Sequence, residues 1–239
     1  MSNYTIEQSN IEAAFKIARI SKQANVSRLI HLSHIKSDKN SKSRFLKGKF
    51  YGEEFCLEEF PSATIIRPST MYGFEDRFLN TLGEFQKMPL GVPLLNKGEN
   101  IVRPVHVIDV ARGITRLIRD RASLGKRIDF YGEKYIYNDI IDIFSDISLA
   151  DLRTFNASPL LFRMYTAIML KWKQPLFTPD QILHIQSDEV PNIENLSFSD
   201  IGMNKLDNLQ DFALRYLRVY RYDKDPNALG ALRKEYSRK

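Results

Sequence analysis

Four short pieces of the chain carry residue types that can do chemistry. "RLIHLSH" ends an apolar run on Ser33, and "FLKGK" places Lys49 four residues after Phe45. "RPSTMYG" (Arg67 to Gly73) and "VHVIDVARGI" (Val105 to Ile114) follow in that order. Residues four apart on a helix share a face, so side chains 45 and 49 point into one cleft. Phe45 has no hydroxyl, so it cannot serve as a general acid or base. Tyr51 is the nearest phenol, but two helical residues beyond Lys49 it faces almost the opposite way. Taken singly, such residues are ordinary: strand-end serines satisfy turns, helix phenylalanines fill cores and helix lysines are solvated. All four pieces in order carry the weight.

The elements that must position them follow from periodicity. In "NIEAAFKIARISKQA", Ile11, Ala14, Phe15 and Ala18 fall at i, i+3, i+4 and i+7, the stripe of an amphipathic helix over 10–24. "RLIHLSH" predicts a buried parallel strand, and a lysine-rich loop leads to a second helix ending near Phe60. "ATIIRPS" predicts a strand stopped by Pro68, followed by the loop "TMYGFEDRF" and a helix near 79–87. A short strand at 105–107, an Asp109 cap and a helix come next, then a strand in "KRIDFYG" and a helix in "IYNDIIDIFSDIS". Alternating strands and helices predict an α/β fold with a parallel sheet, and after Ser148 a mainly helical remainder. The domain reading is a partial Rossmann-like domain over 1–148 and a mainly helical C-terminal lobe with a basic tail over 149–239.

Composition narrows the class. At 239 residues, 43% hydrophobic and 11% aromatic, the chain is long and apolar enough to bury a core rather than stay disordered. Cys56 is the only cysteine, which excludes an internal disulfide and favours a reducing compartment. The four histidines are scattered, unlike the clustered ligands of a zinc site. The N-terminal sequence has neither a signal-peptide core nor an Arg-rich presequence. Nothing approaches the roughly 18 uncharged apolar residues of a spanning helix.

The ordered set resembles the extended short-chain dehydrogenase/reductase family, with its strand-end Ser, Tyr-x-x-x-Lys helix, R-P-x-x-x-Y-G turn and V-H-V-x-D-V-A motif. Here the family tyrosine is replaced by Phe45. A tighter resemblance lies in Glu75-Asp76-Arg77-Phe78-Leu79-Asn80 directly after the Y-G turn. Together with the "HxSH" strand end and the "SDIGMN" turn, it is similar to the dehydrogenase-like accessory subunits of mitochondrial complex I, over about residues 8 to 222. That resemblance implies a non-catalytic subunit with a structural NADPH, on the matrix side of the mitochondrial inner membrane, with other complex I subunits as partners. It places Ser33 and Lys49 toward the ribose and nicotinamide, and Pro68, Ser69, Thr70 and Met71 along the nicotinamide end. For Arg77 it leaves two roles, reaching the cofactor or, the favoured one, pinning the loop through its acidic neighbours.

One departure bears on the cofactor. A dinucleotide fold grips the pyrophosphate with a glycine-rich turn at a helix N-terminus, and this sequence has no glycine before Gly48. Against the family pattern the first half of the Rossmann sheet is missing. Three explanations stand side by side: a separate chain that supplies it, a fragment of a longer chain, or a shortened subunit whose surroundings cover the exposed edge. The proline-bounded segment Pro159–Phe177 mixes apolar residues with Arg163, Lys171 and Lys173. That suits a membrane surface or a membrane subunit, with a buried helix as the alternative. From Arg215 onward the tail holds eight Lys/Arg against three Asp/Glu, which suits anionic lipid or acidic subunits; no nucleic-acid motif accompanies the charge. Two rival readings stay open: an atypical reductase or epimerase, with quinone metabolism as one setting, and a scaffold that binds no nucleotide.

Overall fold

The run "TIIRP" is apolar on both faces, and in the computed structural model of the protein it forms the wholly buried central strand of a parallel sheet, β2 (Thr64–Pro68). The structure describes residues 4–88, 91–149, 151–158, 160–161, 164, 180 and 187–220. On one side of β2 lies β1 (Ile30–Leu32), in register Ile30↔Thr64 to Leu32↔Ile66. On the other lies β7 (Arg127–Phe130), in register Ile65↔Arg127 to Pro68↔Phe130. The pleat sends alternate side chains to opposite faces. Ile65 joins Ala18, Cys56, Phe60 and Ala63 under the helices α1 (Ala13–Gln23) and α2 (Arg44–Glu59). Ile66 joins Val105, Val110, Leu117, Ile128, Phe130 and Phe198 on the side of α4 (Val107–Leu117). Ile65 and Ile66 are both 0% exposed, and each contributes about 1.5–3 kcal/mol of burial.

The catalytic-type helix α2 is started by Ser43, whose extended backbone and hydroxyl, accepting from the Leu46 N–H at 3.3 Å, form an N-cap. The Asp180 carboxylate takes the next two orphan donors, Arg44 N at 2.6 Å and Phe45 N at 3.2 Å. The helix stops at Phe60, directly before Pro61, where the helical region is disfavoured. Gly52 lets α2 approach the π-helical turn Gln8–Glu12 that leads into α1. A Cβ there would stand 2.3 Å from Asn10 O.

A second core gathers Tyr72, Leu79, Leu82, Phe85, Ile140, Phe144, Leu209 and Leu217. It is built by α3 (Leu79–Gln86), α5 (Tyr137–Ser148) and α6 (Leu209–Leu217). Three short strand pairs join it to the sheet region. β3 (Met71–Tyr72) runs parallel to β6 (Val105–His106), and β4 (Val92–Leu94) runs parallel to β9 (Thr154–Asn156). β5 (Ile101–Val102) runs antiparallel to β8 (Tyr135–Ile136).

The α/β class and parallel sheet expected from the sequence are found, and three details differ. The segment after Pro68 is not all loop: β3 forms because Val105 N reaches Thr70 O at 2.9 Å and extends the pairing. Asp109 does not cap α4. His106 occupies the cap position in an extended conformation, and Asp109 sits inside the first turn. Among the described residues of the late chain, expected to be mainly helical, one stretch is not. Residues 187–208 run without a described helix, and Leu196 bonds both Arg127 and Asp129, closing the outer edge of β7. Of the segment 159–177 only Leu160, Leu161 and Met164 are described, all exposed; the rest, and the tail beyond Tyr220, lie outside the described residues. No helix among the described residues is long and apolar enough to cross a membrane.

Candidate functional site

Because β1 and β2 are parallel, their carboxyl ends lie together, with α2 beside them. The six anticipated positions, Ser33, Lys49 and Pro68 to Met71, lie at this end. Ile35 N bonds Pro68 O at 2.9 Å, fixing the exit of β1 against the exit of β2. Ser69 N continues to Phe130 O at 2.8 Å, so the turn into Thr70 and Met71 starts from the sheet. On α2, the Lys49 ammonium stands 5.5 Å from the Phe45 ring centroid, which bears out the shared face. His34 meets the same ring edge-on at 6.1 Å. A phenylalanine, not a phenol, therefore fills the position beside the lysine.

The polar groups at this end are bonded within the protein. Ser33, 5% exposed, donates its hydroxyl to Glu53 Oε1 at 2.5 Å. Ser69 donates its hydroxyl to Arg103 O at 2.5 Å. Thr70 donates both its N–H (3.0 Å) and its hydroxyl (2.5 Å) to Glu189 Oε1. Glu189 Oε2 accepts from Arg103 N at 2.7 Å, and the Lys36 ammonium lies 3.9 Å from Oε1. Lys49 donates to Leu32 O at 3.3 Å. Met71 alone of the anticipated set turns an apolar side chain outward, 37% exposed. Burial pulls both Lys36 and Lys49 below the usual lysine range, against the opposing pull of Glu189 on the first and Glu53 on the second.

Sequence reasoning missed the group that organises this end. Glu53 is fully buried on α2, four residues after Lys49. It holds Arg67 of β2 through Nε (3.0 Å to each oxygen) and Nη2 (2.5 Å). It also accepts from Ser37 Oγ at 2.7 Å and lies 3.4 Å from Arg127 Nε. The signal was present as Lys-x-x-x-Glu on the helix and an arginine before the strand-ending proline. Charged residues at such spacing read as a solvated face. Here strand alternation turns Arg67 toward α2, and the buried pair is neutralised by a bidentate fork.

Two further motifs have structural work. In Glu75–Asn80 the pin is Asp76, not Arg77. Its carboxylate accepts from the N–H groups of Gly73 (2.8 Å), Phe78 (2.8 Å), Leu79 (2.6 Å) and Asn80 (3.2 Å). Burial raises Asp76 above the usual carboxylate range in spite of those four donors. Arg77 is exposed, with no ion pair to a described residue. In "VHVIDVA", His106 is 2% exposed and bonds Asp207 Oδ2 through Nδ1 and the Tyr216 hydroxyl through Nε2, both at 2.7 Å. Asp109 accepts from Asp207 N at 2.7 Å and from Arg112 Nη1 at 2.9 Å. His106, Asp109 and Asp207 bring ligand atoms within 4.8 Å of one another. The Arg112 guanidinium bridges the two carboxylates, so the cluster is a strut between α4 and α6.

A parallel sheet with helices on both faces, and a Lys-bearing helix beside its carboxyl end, make a Rossmann-like fold of the short-chain-dehydrogenase kind. Solved structures agree on the fold. A nucleoside-diphosphate-sugar epimerase from Staphylococcus aureus superposes with a TM-score of 0.67 at 16% identity, over 89% of this chain and 73% of that one. A dTDP-4-dehydrorhamnose reductase from Bacillus anthracis, solved in complex with NADP, gives 0.59 at 15% identity, over 89% and 76%. No protein-family model matches the chain.

Among curated proteins the likeness is to one particular subunit. The chain is 32% identical over 230 residues to the mitochondrial NADH dehydrogenase [ubiquinone] 1 alpha subcomplex subunit 9 of Mus musculus, covering 92% of this chain and 59% of that protein. It is 30% identical over 232 residues to the mitochondrial NADH-ubiquinone oxidoreductase 40 kDa subunit of Neurospora crassa, covering 94% and 60%. The resemblance read from the motifs therefore holds over nearly all of this chain. The chain spans about three fifths of the length of the curated relatives it matches, 59–60%.

Proposed function

We propose that the chain is a non-catalytic accessory subunit of respiratory complex I, supporting assembly and stability where the peripheral and membrane arms meet. Its place on this reading is the matrix side of the mitochondrial inner membrane, with other complex I subunits as partners. The observation that carries the reading is the 92–94% span of this chain that aligns with relatives named as complex I subunits. The site agrees with it. Position 45 has no proton to transfer, and the polar side chains around it are joined to one another or to backbone. Such a site can hold a shape, and it offers no phenol at position 45. The segment Pro159–Phe177 is the part proposed to meet a membrane surface or a membrane subunit, and no nucleic acid is involved.

The residues of this chain do not fit a dinucleotide on their own. Ser33 is held by Glu53, Thr70 is held by Glu189, and the acid Glu189 stands at the end where a nicotinamide would approach. No glycine-rich turn is present to receive a pyrophosphate. On this reading NADPH belongs to the assembled particle. The phosphate grip comes from polypeptide beyond this sequence, on the same or another chain, and this part contributes Lys49 and the backbone of Pro68 to Met71.

The test is co-purification from mitochondria followed by denaturation and mass spectrometry of the released nucleotide. Respiratory-chain subunits are expected to travel with the chain, and NADPH to appear only from the assembly. A chain recovered alone would count against the subunit reading; an assembly without any nucleotide would leave the scaffold reading in its place. The solved neighbours are enzymes, which favours an atypical reductase or epimerase as the second reading. It requires an acid in the cleft that Phe45 does not provide.

A further inference from the structure

Glu189 is fully buried, and its carboxylate is met from three separate parts of the chain. Oε1 accepts the Thr70 N–H at 3.0 Å and the Thr70 hydroxyl at 2.5 Å, with the Lys36 ammonium 3.9 Å away. Oε2 accepts the Arg103 N–H at 2.7 Å. The backbone donors are held in place without Glu189. Thr70 O accepts from Val105 N at 2.9 Å, and Arg103 O accepts from Gly132 N at 3.2 Å and from the Ser69 hydroxyl at 2.5 Å. Two backbone N–H groups, a hydroxyl and an ammonium converging on one carboxylate form a receptor for a planar anion. Donors fixed in advance need little reordering to bind one.

The acid is also tethered independently of its side chain. Glu189 N bonds Ile101 O at 3.0 Å, and Asp188 Oδ1 accepts from Ile101 N at 2.9 Å. Beyond Cβ, a glutamate side chain is the skeleton of acetate. Nearby lies a cavity of about 420 Å³ between Ile35, Lys36 and Leu46 on one side and Ser187, Asp188 and Val190 on the other. Lys36 lines this cavity and also approaches Glu189, which gives a free anion a route to the same donors. We propose that Glu189 is a tethered ligand: its carboxylate fills a preformed site for a small carboxylate anion and keeps free anions of that kind out of the carboxyl end of the sheet. A tethered group acts at an effective concentration that a free anion has to exceed. A monocarboxylate is favoured over phosphate because the donors answer two oxygens, and the further oxygens of a phosphate would be buried without partners. Nothing in this arrangement requires the chain to be a complex I subunit.

The experiment is thermal unfolding and calorimetric titration of the full 239-residue chain with sodium acetate at neutral pH, ionic strength being held constant with chloride. Glu189→Ala empties the site while leaving its donors and the backbone tether. It is expected to melt below the parent in chloride and to recover as acetate is added, binding it one to one. Above the midpoint each tenfold rise in acetate should add about 1.4 kcal/mol of stability. Acetamide, the neutral analogue, should give no recovery, and phosphate should give less than acetate. The parent and Glu189→Gln, which fills the space with a neutral amide, should show no saturable response. Adding Thr70→Val to Glu189→Ala removes the hydroxyl donor and should weaken acetate binding by about tenfold or more. Should Glu189→Ala fail to fold in chloride, the yield of folded protein after refolding becomes the readout, and acetate should restore it. Recovery that is absent in acetate, equalled by acetamide or surpassed by phosphate overturns the proposal. So does binding undiminished by Thr70→Val, or an acetate response in the parent or Glu189→Gln as large as in Glu189→Ala.

Discussion

Replacing Glu53 by alanine is the most severe single change the site predicts. The carboxylate is fully buried and faces Arg67, 9% exposed, through three contacts of 3.0, 3.0 and 2.5 Å. Removing it leaves the guanidinium uncompensated in the interior and strands the hydroxyls of Ser33 and Ser37. Breaking one side of a buried pair costs about 3–5 kcal/mol. For a chain of this size that is a fall of roughly 6–20 °C in melting temperature. Most of that loss comes from the orphaned charge rather than from lost attraction. Glu53→Met combined with Arg67→Met should therefore be far more stable than the sum of the two single changes, by about 2 kcal/mol or more. Urea unfolding of the four proteins of that cycle reads the coupling. Additive single effects would refute the account, as would Glu53→Ala within about 1 kcal/mol of the parent.

Three other outcomes follow. Asp76→Ala removes the acceptor of four backbone N–H groups and should cost about 1–3 kcal/mol, with early proteolysis between Gly73 and Asn80, whereas Arg77→Ala should be within about 0.5 kcal/mol of neutral. Phe45→Tyr restores a phenol beside Lys49, yet hydride transfer from NADPH to carbonyl substrates should stay at background because Ser33 remains bonded to Glu53; measurable turnover would reopen the enzyme reading. Burial, then the nearby Lys49 charge, lowers the His31 imidazole below its usual 6.5 against the pull of Glu53, and its Nε2 is buried with no hydrogen-bond partner among the described residues. The folded state resists that proton, so the contribution of His31 is intact above about pH 6.5 and is lost as pH falls from there toward the lowered value, by at most about 1.4 kcal/mol per pH unit. The stability difference between the parent and His31→Gln, measured against pH, should change in that window and flatten above it.

Much of the scaffold was legible because burial writes itself into period. "TIIRP" and the stripe of Ala14 and Ala18 have the spacing of a two-sided strand and a one-sided helix, and both hold. The Phe45–Lys49 face was legible for the same reason. The Glu53–Arg67 pair was not, since a helix position and a strand position meet only once the sheet has set which way each side chain points. Asp76 stood inside a motif whose importance was visible but whose pin was assigned to its neighbour. Residues 187–208 left no period at all. Their placement comes from isolated contacts, such as Glu189 N to Ile101 O at 3.0 Å and the Glu189 carboxylate to Thr70, which follow no repeat in the sequence.

The Glu189 carboxylate also constrains the order in which the molecule can be completed. It satisfies Thr70 and Arg103, 119 and 86 positions earlier in the chain, and approaches Lys36 near the beginning. During synthesis the carboxyl ends of β1 and β2 exist long before the residue that ties them together has been made. Contacts of such separation slow folding, because the intervening chain must be ordered before any of them is gained. A nascent chain arrested before Glu189 should leave Thr70 and Arg103 without this acceptor, a natural client for chaperones until the later residues arrive.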